Sequence, residues 1–146
     1  MINKEILDNE VTLYNYIGEV DDYPAFQRSY IKKCCVFITR GADLDGTGRK
    51  GNGNAVLFIF DNESTVTNEL GEPASYLPYD AWLDREQEEA DRGCFWTLSD
   101  RGDDYFVEGV SLSDTPPQNA SKFRVVKFKQ LKKGSGDIGH MEVFGV

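Results

Sequence analysis

A chain of 146 residues, 40% hydrophobic and 28% charged, has enough apolar material for one core and too little length for a second ordinary domain, so residues 1–146 read as a single folded unit. Twenty-five acidic against 16 basic residues leave a formal net charge of −9, which works against a general affinity for nucleic-acid phosphates or anionic membranes. No stretch reaches transmembrane length and Met1-Ile2-Asn3-Lys4-Glu5 lacks the apolar run of a secretory signal. Three cysteines, two of them the neighbours Cys34 and Cys35, make no disulfide framework, and the expectation is a cytosolic protein.

In chain order, Ile2 to Leu7 suits a single helical turn, and Val11 to Ile17 is the first predicted strand. Asp22 ahead of Pro24, with Phe26 and Tyr30 four apart, predicts a short helix from Pro24 to Tyr30. A strand over Lys33 to Thr39 would turn Cys34 and Cys35 to opposite faces. After a glycine-dense connection, Ala55 to Asp61 is a strand whose unbroken run Val56–Phe60 predicts a central position covered on both faces. A long polar connection, 62–79, leads to a helix from Asp80 to Asp91, capped by Asp80, edged by Trp82 and Leu83, braced by Arg85 and Glu89, and ended by Gly93. Strands over Cys94 to Leu98, Tyr105 to Leu112, Phe123 to Leu131 and Met141 to Val146 complete the chain, and the imperfect alternation at Val125-Val126 suits a β-bulge. The expected class is α+β: an antiparallel sheet of about seven strands, sandwich or barrel-like, with one or two short surface helices.

Several motifs carry possible chemistry. Gly46-Thr47-Gly48-Arg49-Lys50-Gly51 has the spacing that lets backbone N–H groups approach a pyrophosphate, yet it runs into a strand rather than opening a helix. Asp43, Asp45 and Gly46 supply only part of a calcium loop, since the sixth residue after Gly46 is Asn52 and not a glutamate. Asp100-Arg101-Gly102-Asp103-Asp104 reads first as a turn. His140 is the single histidine, with no nucleophile signature around it, and no Cys-x-x-Cys spacing supports zinc. Between Lys122 and Lys133 lie six basic residues and no acidic one, but period-two spacing sends most of that strand's aromatics to the face opposite its lysines, so nucleic acid is an unlikely partner.

The segment Tyr76-Leu77-Pro78-Tyr79-Asp80-Ala81-Trp82 gathers large aromatics of the kind that anchor protein interfaces. From Asp80 to Glu108 the chain carries ten acidic and three basic residues. The sequence therefore favours a non-catalytic protein-binding module of the inhibitor or immunity type, docking on a basic partner through Tyr76, Tyr79, Trp82, Glu86, Glu88, Glu89, Asp103 and Asp104. A second reading is a small-ligand module that closes Gly46, Gly48, Arg49, Lys50 and Gly51 over a phosphate or nucleotide. A third is a small enzyme that uses Asp103, Asp104 and Glu108 as acid, base or cation ligands. No pattern calls for a cofactor or a resident metal.

Overall fold

The computed structural model describes residues 8–39, 54–118, 122–131 and 139–146. The turn expected over Ile2 to Leu7 and the glycine-dense loop lie outside the described residues. Among the described residues, nine strands and two short helices follow in the order β1 (Asn9–Val20), β2 (Tyr23–Thr39), β3 (Asn54–Phe60), β4 (Thr65–Asn68), β5 (Ser75–Tyr76), α1 (Tyr79–Leu83), α2 (Gln87–Arg92), β6 (Phe95–Trp96), β7 (Tyr105–Glu108), β8 (Lys122–Leu131) and β9 (His140–Gly145). The main sheet runs β1-β7-β8-β9-β3-β2-β4, all antiparallel, and β1 also pairs with β2. That extra pairing joins the sheet to itself, so six strands close into a ring while β4 continues along the edge of β2. The α+β class and the antiparallel sheet of about seven strands are as the sequence led us to expect.

The helix expected from Pro24 to Tyr30 is instead the first half of β2. Asp21 and Asp22 have φ of +52° and +68°, the left-handed pair that a tight two-residue hairpin turn requires. Phe26 and Tyr30 lie four apart, but four is also two periods of a strand, and the Phe26 ring packs edge-on against Tyr14, Tyr16 and Tyr105. Asp22 therefore shapes a turn and caps nothing. Further along, Lys33 has φ +58°; there β2 bends from pairing with β4 to pairing with β3, and the Ser64 hydroxyl donates to the Lys33 carbonyl across the bend.

Inside the ring, alternate residues of every strand form one core. Leu13, Ile31, Leu57, Leu98, Phe106, Val125 and Val143 are completely buried. Gly145 is obligatory at the tightest point, because a Cβ there would stand 2.6 Å from Phe123 and 2.8 Å from the Phe106 ring. Cys34 joins this core while Cys35 packs with Phe58 and Phe60 on the other face, and all three cysteines are free thiols. The expected bulge is present: Val125 faces Gly145 and Lys127 faces Phe144, with one extra residue between.

The outer face of β3 departs from expectation. Val56 and Phe58 are only half-buried there, beside a Phe37 that is 59% exposed, so the strand is not fully covered on both sides. Past the bulge the lysines of β8 share that face with an aromatic of the next strand, Lys127 and Lys129 each placing an ammonium 5.5 Å from the Phe144 ring.

The single helix expected over Asp80–Asp91 is two. Asp80 lies inside the first turn of α1 rather than capping it, and the chain breaks at Asp84. Helix α2 restarts with a capping box between Glu86 and Glu89, and ends on Gly93 in the left-handed conformation. The pair is suspended from two short parallel strands, β5 and β6, and hung on the ring by side chains. Asn15, wholly buried, donates to the Thr97 carbonyl and accepts from the Thr97 N–H, while Gln27 donates to the Phe95 carbonyl. Among the described residues, no helix is long and apolar enough to cross a membrane.

Candidate functional site: a cleft between the hairpin arm and the helix pair

Where the β1–β2 hairpin projects past the ring, a cleft of about 790 Å³ opens between it and the helices. One wall is the arm, with Tyr16, Ile17, Phe26 and Arg28; a second is the end of β4 and its turn, with Asn68, Glu69 and Leu70; the third is α1 and α2. The arm carries a bulge between Tyr16 and Gly18, and Ile17 is left 49% exposed at the rim.

Asn68 fixes two walls to each other. Its carbonyl oxygen accepts from the N–H groups of Leu70 and Glu72, shaping the turn, and its amide donates to the Arg92 carbonyl at the end of α2. Arg28 ties the arm to the same turn. Its guanidinium bonds Glu69 at 2.6 Å, Asp114 at 3.3 Å and the Ser111 carbonyl at 3.2 Å. Burial works against the Arg28 charge, but the Glu69 carboxylate more than offsets it, and its pKa stands above the ordinary arginine value.

The floor is Trp82, 3% exposed. Tyr79 lies nearly parallel to it at 6.2 Å, Arg101 approaches the Tyr79 ring at 5.2 Å, and the Arg85 guanidinium rests 3.7 Å from the centre of the indole. Arg85 Nη1 donates to the Trp82 carbonyl. Among the described residues, two enclosed donors of this floor, Trp82 Nε1 and Arg85 Nε, have no acceptor. Among the described residues Arg85 forms no ion pair, and burial lowers its pKa from the usual arginine value.

Of the residues expected at a docking surface, Tyr79 and Trp82 line this cleft, with Trp82 as floor rather than as an exposed anchor. Glu88 is exposed on α2, and Glu86 and Glu89 are engaged in its capping box. Tyr76 turns away to pack on Trp96 at 5.0 Å. Asp103 is exposed, but Asp104 is 3% exposed and accepts from the backbone N–H groups of Tyr16 and Ser99, so it is a bracket inside the fold and not part of an acidic surface. Asp103, Asp104 and Glu108 are not among the residues that line this cleft, and Glu108 is exposed. Gly46, Gly48, Arg49, Lys50 and Gly51 lie outside the described residues.

His140 is placed by Glu142 at 3.0 Å and packs beside Phe58 and Phe60. Among the described residues, no three histidine, cysteine or carboxylate side chains are grouped to hold a metal ion.

Sequence reasoning missed Ile17, Leu70, Leu83 and Arg85 as site residues. The available signal was Arg85 three positions after Trp82, the spacing at which a cation lies over a ring on one helix face. A continuous helix had paired Arg85 with Glu89 instead.

These features define a closed antiparallel ring with a pair of short helices beside it and, between them, a cleft with an aromatic floor and an apolar rim. The chain belongs to a family of unknown function, DUF6751, whose family model matches residues 6–146. No curated protein and no solved structure matches it.

Proposed function

We propose that this protein is a non-catalytic protein-binding module that seats a segment of a partner protein in the cleft. The observation that carries the reading is the rim. Ile17, Leu70 and Leu83 are 49%, 75% and 56% exposed, come from three separate segments, and line one cavity. Scattered exposed aliphatics need no explanation, but three around an aromatic floor form the apolar centre that protein interfaces use. The exposed carboxylates of α2, Glu88 and, at the cleft wall, Asp91, support a partner with a basic surface, because complementary charge steers encounter. An inhibitor or immunity-type role is one form such docking takes.

The test compares wild type with the Leu70→Asp/Leu83→Asp variant, both substitutions at exposed positions. Native mass spectrometry of protein captured gently from its source cells should show a stoichiometric protein partner on wild type and none on the variant. A partner retained equally by both, or a small molecule in its place, overturns the reading.

A further inference from the structure

We propose that the cleft recognises a carboxylate on the docked segment, an Asp or Glu side chain set between apolar residues, and that Arg85 is the group that binds it. This rests on the docking reading above and names the chemistry of its floor.

Of the three arginines that line the cleft, Arg28, Arg85 and Arg92, the first two are in opposite states. Arg28 is fully engaged, with Glu69, Asp114, the Tyr30 hydroxyl and the Ser111 carbonyl around its guanidinium. Arg85 has one acceptor, the Trp82 carbonyl on Nη1. The edge made by Nε and Nη2 is left without a partner, and that edge is the fork whose two parallel N–H bonds match the two oxygens of a carboxylate. The guanidinium lies over the indole, 3.7 Å from its centre.

A second observation points the same way. Trp82 Nε1 is also an enclosed donor without an acceptor, and orphan buried donors are uncommon in folded chains. Both are donors, and donors without a partner call for an acceptor and not for a cation. Because Nε is enclosed, filling both positions requires the Arg85 side chain to shift on the ring, which changes the surroundings of Trp82 but not those of Trp96 in the core. The apolar residues line this cavity from three segments, so a carboxylate flanked by apolar neighbours fits better than one at a chain end.

The experiment uses phage-displayed random peptides, fixed between glycine-serine linkers so that no free terminus is offered, selected against the whole protein. Peptides that bind wild type but not Leu70→Asp/Leu83→Asp are then synthesised and titrated by fluorescence. The expected result is a recurrent Asp or Glu between apolar residues and a change in tryptophan emission on binding. Affinity should fall roughly tenfold or more when that residue becomes Asn or Gln, and likewise in Arg85→Gln. The peptide substitution leaves the protein untouched, so a folding defect in Arg85→Gln cannot decide the matter. Cleft-dependent peptides with no recurrent acid, or with affinities unchanged by both substitutions, overturn the inference and leave the docking reading standing. Failure to select any peptide, or peptides indifferent to the Leu70/Leu83 variant, overturns both.

Discussion

Asp103 and Asp104 are adjacent and chemically identical, yet one faces solvent and the other is sealed in. Burial pushes the Asp104 carboxyl up to about 6, with the Tyr16 and Ser99 N–H groups pulling the other way. A carboxyl raised in the folded state holds its proton more tightly there than in the unfolded chain. Its contribution to stability is therefore complete below the unfolded value near pH 4 and is lost as pH rises through 6, a swing of about 3 kcal/mol. In Asp104→Asn, which cannot titrate and also loses one acceptor, the stability difference from wild type should move by about 2 kcal/mol in the variant's favour between about pH 4.5 and 7.5 in urea unfolding. An unchanged difference would show that Asp104 is ionised throughout.

Nothing in the sequence separates Asp104 from its neighbour, because the distinction comes from backbone groups 5 and 88 positions away. Gly145, by contrast, is a glycine of the last strand whose necessity is steric. Gly145→Ala should cost about 1–3 kcal/mol, measured by the same unfolding curves, since the Phe106 ring and the Phe123 Cβ with its backbone would have to move for one methyl group.

Elements were read well where one period dominated and badly where two periods agreed. The run Phe123–Leu131 announced both its strand and its bulge, since consecutive valines break a period of two. Phe26 and Tyr30 fit helix and strand alike, and the decision fell to Asp21-Asp22, whose left-handed turn pairs eleven residues of β1 with β2 from Tyr23 to Cys34. Strand β5 has two residues and owes its existence to a partner brought to it by the chain, so no local pattern marks it, whereas β6 lies inside the run Cys94 to Leu98 read as a strand.

The cleft depends on how these elements are pinned, and Asn68 is the pin. Asn68→Ala leaves the Leu70 and Glu72 N–H groups and the Arg92 carbonyl without their partner, for an expected loss of about 2–3 kcal/mol. Hydrogen exchange should quicken in 69–72 and at the end of α2 while the ring stays protected. Exchange that rises evenly across the molecule would assign Asn68 to the global core instead.

At the scale of the whole molecule, strand content, class and the acidic tract were legible because they sum over many residues. The cleft was not, for it is made by three segments whose meeting follows from topology alone. Net charge acts at this scale too. Reversing the exposed Glu88 to Lys should slow association with a captured basic partner at low salt by a few-fold and leave the rate at high salt nearly unaltered. A rate equal to wild type at low salt would remove electrostatic steering from the docking reading.

Ring closure also sets the order in which this chain can fold. Strands β1 and β2 are neighbours in sequence and can zip early, but the other edge of β1 waits for β7: Thr12 donates to the Gly109 carbonyl across 97 positions. During synthesis the hairpin is therefore made long before its second neighbour exists, with a row of unsatisfied backbone groups along an apolar strand. Folding should be slow for the chain's size, in the millisecond-to-second range, with the final step the docking of β7 against β1. Until that step the nascent hairpin is the segment most open to mispairing with another copy, and the first that a chaperone would have reason to hold.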